Sequence, residues 1–86
     1  MDCQSLPTEA DPMKPKGQKE KQLLAKNVRH LRRELGMSQE DLAFAAHIDR
    51  TYASQVERGV CNPSLEVLLA LAKALNVKII DLFKGL

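Results

Sequence analysis

The sequence predicts an all-α fold: a compact bundle of five helices behind a disordered N-terminal arm. Apolar residues recur at helical spacing, as in Leu24, Val28, Leu31 and Leu35, which step by four, three and four. Helix-start residues (Ser38, Asp49, Ser64) alternate with helix-stop residues (Gly36, Gly59, Asn76) along the chain. The composition agrees: 44% of residues are hydrophobic, yet Phe44, Tyr52 and Phe83 are the only aromatics, so the core must be built from Leu, Ala and Val. A chain of 86 residues makes one small domain.

Residues 1–18 hold Pro7, Pro12, Pro15 and Gly17 with almost no apolar periodicity, too little buried surface to offset ordering entropy. They are expected to form the arm, and residues 19–86 the domain. The first helix runs from near Lys19 to Gly36, a residue suited to the left-handed position that closes a helix. Ser38 opens SQED, a serine with an acid three positions on, the reciprocal cap of a second helix that Leu42, Ala43 and Ala46 make apolar on one side. Asp49 offers a fresh N-cap for a third helix, Arg50 to Arg58, ended by Gly59. Ser64 starts a fourth, expected from Leu65, Leu68, Leu69, Leu71, Ala72 and Leu75 to be the most buried element, with Asn76 as its stop. A last short helix, roughly Ile79 to Lys84, presents Ile80 and Phe83 on one side.

The net charge of +2 is unevenly spread: residues 14–33 carry eight bases against Glu20 alone. Such a block marks either a polyanion partner or a solvated helix face. With three aromatics there is no platform for stacked bases, which argues against single-strand nucleic-acid binding. No apolar run reaches the roughly 18 residues of a membrane span, and the start, MDCQSLPTEADPM, is unlike a signal peptide, so a soluble cytoplasmic protein without membrane partners is expected. Cys3 and Cys61 make no disulfide framework, and with His30 and His47 they show no metal-ligand spacing, so neither metal nor other cofactor is expected. Neither Ser54 nor Cys61 has a His and an acid at interpretable spacing, and there is no Gly-rich phosphate loop; an enzyme is not expected, and no small-molecule ligand is evident.

Two short helices joined by about three residues make a helix-turn-helix at 39–58, whose second member can lie in the DNA major groove. Ala43 and Ala46 allow close approach, and Ala53 and Val56 form the inward pair of the third helix. Its outward face is then Arg50, Thr51, Ser54 and Gln55, with Tyr52 and Arg58 at the flanks. Arg can fork onto guanine, Gln can pair with adenine, and Thr and Ser serve either a base or a phosphate; the bland alternative is a merely solvated polar helix. Gln39, at the front of the second helix, can hold a phosphate or simply cap.

From Val28 to Phe83 the chain resembles the phage-repressor and Cro type (Xre-like) helix-turn-helix regulators, on RxxxGMSQEDLA (Arg32–Ala43), SQVERG (Ser54–Gly59) and NPSLEVLLALAKAL (Asn62–Leu75). DRTYASQVERG looks most like the controller proteins of restriction-modification systems. The resemblance implies a lambda-repressor-like five-helix domain, a homodimer on palindromic double-stranded DNA, that regulates transcription as a repressor or autoregulatory controller. It implies a scaffold ion pair between Arg32 and Glu57, a phosphate contact from Gln39 and base reading by Arg50, Thr51, Ser54 and Gln55; Tyr52, through its hydroxyl, and Arg58 are the further phosphate candidates at the flanks of the third helix. The alternative is an adaptor or co-activator that keeps the fold and binds protein. The candidate dimer surface is Val77, Ile79, Ile80, Leu82, Phe83 and Leu86, which otherwise are core. Four positions depart from the family pattern. His47 stands where the family often has Gly, and Val60 and Cys61 replace a basic residue, shifting backbone affinity onto the basic leader. Lys78 replaces a capping Ser or Thr.

Overall fold

The computed structural model describes residues 17–85. Four α-helices, α1 (Gln18–Glu34), α2 (Gln39–Ala46), α3 (Arg50–Arg58) and α4 (Leu65–Ala74), are followed by a 3-10 helix at Ile79–Phe83. The all-α class holds, with one correction: the fifth helix is a single 3-10 segment, because Lys84 returns to extended backbone (φ −64°, ψ 134°) before an α-helical ladder can form. Residues 1–16 of the expected arm and Leu86 of the expected dimer surface lie outside the described residues. Within them, Gly17 (φ 72°) precedes a helix that starts at Gln18, so the arm expected through residue 18 overlaps the first turn of α1.

Each α-helix closes in the same way. A residue with positive φ (Gly36, His47, Gly59, Asn76) is followed by an N–H that returns five residues back: Met37 to Arg32, Ile48 to Ala43, Val60 to Gln55 and Val77 to Ala72, at 2.9–3.2 Å. This closure satisfies carbonyls that a helix end leaves without partners. Gly59 is also needed for space. A Cβ there would stand 2.9 Å from Gln22 Nε2 and 3.4 Å from the Lys21 carbonyl, so α1 packs directly on the end of α3.

The core joins Leu24 and Val28 of α1, Leu42 and Ala46 of α2, Val56 of α3, Leu71, Ala72 and Leu75 at α4, and Leu82 of the 3-10 helix. Leu82 is fully buried, which removes it from the candidate dimer surface; Val77, Ile79 and Phe83 are half-buried against the same core, and only Ile80 is well exposed. α4 is not the most buried element. Its Leu71–Leu75 side faces inward, while Leu65 (64% exposed) and Leu69 (50%) form an outward pair one turn apart that no described element covers. Leu35 is likewise exposed, because the chain has already left the helix there and turns away from the core. The start of the 3-10 helix is capped from within: the Lys78 N–H donates to Asp81 Oδ2 at 3.0 Å, so no Ser or Thr is required.

Candidate nucleic-acid interface

α2 and α3 meet through His47, Ile48 and Asp49. The reciprocal cap read from SQED is present: the Asp41 N–H donates to Ser38 Oγ at 3.0 Å and the Ser38 N–H to Asp41 Oδ2 at 2.9 Å. The Ser38 backbone N–H first, and its hydroxyl second, hold the Asp41 carboxyl below the usual aspartate range. His47 takes the left-handed conformation, φ 60° and ψ 39°, that ends α2. Asp49 then accepts the Tyr52 N–H at 2.7 Å and starts α3 in a new direction. Ala43 and Ala46, both buried, let the two helices close on each other.

α3 is mounted on Ala53, Val56 and Glu57, all at most 2% exposed. Their burial turns the opposite side outward: Arg50, Thr51 and Arg58 are exposed, and Ser54 and Gln55 are half-exposed. The four candidate base readers therefore share the outer surface of one helix. Tyr52 is half-buried and packs its ring against the core, as a flanking residue does.

Glu57 is the charged residue at the centre of the scaffold. Arg32 donates to it from Nε at 2.6 Å and from Nη2 at 3.1 Å, and spends Nη1 on the Met37 carbonyl at 2.8 Å. Gln39 Nε2 donates to Glu57 Oε1 at 3.1 Å, which ties the first residue of α2 into the same network. Sequence reasoning treated Gln39 only as a cap or a phosphate contact and counted Arg29 only as charge. The structure gives Arg29 a place, its Nη1 donating to the Glu57 carbonyl at 2.7 Å. It also gives one to Asn27, which donates to the carbonyls of Leu82 and Lys84 at 2.9 and 3.1 Å and so fastens the 3-10 helix to α1. Neither contact has a local sequence signature, since each joins residues 28 or more apart. Phe44, 85% exposed on the outer side of α2, is the other unforeseen feature.

Among the described residues no three His, Cys, Asp or Glu side chains gather as a metal site, and no helix is long and apolar enough to cross a membrane. Cys61 is half-buried, and burial pushes its thiol up, against a smaller opposing pull from Lys21.

Residues 28–82 match the family model described as Helix-turn-helix. The chain belongs to this helix-turn-helix family of DNA-binding regulators. The helix-turn-helix chain is 44% identical over 62 residues to the HTH-type transcriptional regulator DdrOP3 of Deinococcus deserti, covering 72% of this chain and 48% of that protein. The match thus spans about half the length of that relative. The chain is 46% identical over 59 residues to the control protein C.SmaI of Serratia marcescens, covering 69% of this chain and 70% of the relative. Among solved structures, the restriction-modification controller protein C.AhdI from Aeromonas hydrophila superposes with a TM-score of 0.73 at 42% identity, over 76% of this chain and 98% of that one.

Proposed function

We propose that the protein is a sequence-specific regulator of transcription that binds double-stranded DNA as a homodimer on a palindromic operator. In this reading α3 enters the major groove, where Arg50, Thr51, Ser54 and Gln55 read bases. Gln39, Tyr52 and Arg58 hold the backbone and set the register. The observation that carries it is the division of α3 into a buried Ala53–Val56–Glu57 side and an outer side made of hydrogen-bonding chains. A protein-binding adaptor would present apolar or aromatic anchors there, and the only such residue off the buried side is Tyr52, half-turned into the core.

The dimer is built from the surface left uncovered at the end of the domain. Leu65 and Leu69 of α4 stand exposed, Leu69 shares a groove of about 640 Å3 with Val77 and Ile79, and Ile80 is 67% exposed. Two copies joined there place their α3 helices on half-sites about 34 Å apart. The likeness to controller proteins supports a repressor or autoregulatory controller role.

Selection of a randomised duplex library by the purified protein at about 0.15 M salt tests the reading. Enrichment of a palindrome with half-sites one turn apart is the expected result. A folded protein at micromolar concentration that enriches nothing would refute base reading and favour the adaptor.

A further inference from the structure

Resting on the DNA-binding reading above, we infer that a cleft on the outer face of α1, lined by Lys26, Asn27, Arg29, His30 and Arg33, is a second backbone site that takes consecutive phosphates of the duplex beside the groove occupied by α3. The cleft is shallow and open, formed by α1 side chains alone around a volume of about 410 Å3, and none of its lining residues is an acid. Its basic residues and His30 fall at i, i+3, i+4 and i+7 from Lys26, one face of the helix, with Asn27 at its edge, and Lys26, His30 and Arg33 are exposed. Two carboxylates come near it, and one of them engages a cleft residue. Glu34 pairs with His30 Nε2 at 3.1 Å on the side toward the 3-10 helix, and Glu57 is buried and engaged by Arg32 and Gln39.

Position ties the cleft to DNA rather than to an unrelated anion. Arg29 Nη1 caps the Glu57 carbonyl at 2.7 Å, and Gly59 lies against Gln22, so this part of α1 flanks the C-terminal end of α3. The end of a helix carries partial negative charge that repels phosphate; Arg29, with Lys26 and Arg33 beyond it, reverses the sign there. Lys26 and Arg33 are seven residues apart, about 10 Å along the helix, and three base-pair steps of a duplex rise by about the same distance at about 3.4 Å each. The short loop after α3 holds Val60 and Cys61 and offers no cation, so on that side the cleft adds to the single charge of Arg58 at the end of the helix.

The test is a salt titration of binding to a mixed-sequence duplex of about 30 base pairs, long enough for two half-sites. It compares the wild type with Lys26→Gln/Arg33→Gln and with Lys19→Gln/Lys84→Gln, which removes the same charge from exposed positions off both the cleft and the dimer groove. Arg29 is left intact because it also holds α3. The first variant is expected to lower the slope of log K against log salt by about 2 per bound protomer, near 0.9 per lost phosphate contact, and the second to leave it within about 0.5. An unchanged slope in Lys26→Gln/Arg33→Gln beside wild-type binding overturns the cleft while the α3 reading stands. Equal falls in both variants also overturn it, as an effect of net charge alone. A folded wild type that binds no duplex overturns the DNA reading itself and the cleft with it.

Discussion

Glu57→Ala tests the scaffold directly. The carboxylate is 2% exposed and receives three donated bonds, two from Arg32 and one from Gln39, while the Arg32 side chain is itself only 11% exposed. Truncation leaves a guanidinium with one remaining partner, the Met37 carbonyl, in a site that water hardly reaches. Breaking a buried pair from one side costs about 3–5 kcal/mol, and the better helix propensity of Ala returns only a few tenths. A domain of about 70 residues has roughly 4–10 kcal/mol of stability in all. The variant should therefore lose about half its stability or more, a fall in midpoint on the order of 20 °C at 4–8 °C per kcal/mol. Urea unfolding followed by helical circular dichroism measures it. Replacing both partners, Arg32→Met with Glu57→Leu, removes the stranded charge and should recover most of the loss. A loss below about 1 kcal/mol for Glu57→Ala, or a double variant as unstable as the sum of the singles, would show that the pair does not hold α1 to α3 as described.

Arg50→Ala should cost about 1–3 kcal/mol on the selected operator and relax its sequence preference, measured by competition between sites; an equal loss on every sequence would make Arg50 a phosphate contact. Gln39→Ala should weaken binding to every sequence and, because it also removes the bond to Glu57, should alter base preference as well; unchanged affinity would refute its phosphate contact. His47→Gly should raise stability by about 1 kcal/mol in thermal unfolding, because His47 pays for a left-handed φ of 60° that Gly adopts freely. Asp41 and Asp81 both ionise below the usual aspartate range, each held chiefly by a backbone N–H, of Ser38 and of Lys78. A folded-state pKa below the unfolded one gives stability that is present above about pH 4 and is lost as pH falls through the lowered value. Acid titration of stability should show this decline, and Asp41→Asn and Asp81→Asn should each flatten it.

The features legible in the sequence are those whose physics is local. A serine or aspartate three residues before the N–H it accepts, or a glycine where φ must turn positive, declares itself in a few letters, so the bounds of α2 and α3 and the outward face of α3 follow from Ser38, Asp49, Gly59 and the Ala53–Val56 pair. Periodicity identifies an apolar face without saying what will cover it. Leu65, Leu69 and Leu35 read as core for that reason, yet each stands in solvent in the single chain. The converse error befell Leu82, proposed for a dimer surface because the last segment seemed to hold more apolar residues than it could bury, whereas Asn27 draws that segment onto α1 and seals Leu82 inside.

Long-range polar contacts are the remaining blind spot, and they are where the scaffold and the candidate site become one object. Gln39, expected to grip phosphate, gives one amide hydrogen to the carboxylate that Arg32 clamps, and Arg29 closes the end of α3 from the other side. A phosphate that pulls on Gln39 therefore pulls on Glu57, whose backbone belongs to the helix that carries Arg50, Thr51, Ser54 and Gln55. In the proposed reading, backbone contact and base reading are therefore coupled through Glu57, and a second backbone contact on α1 would bear on the same helix through Arg29. Loss of Arg29 should accordingly disturb sequence preference as well as overall affinity, whereas loss of Lys26 or Arg33, which touch no part of that network, should reduce affinity on every sequence alike.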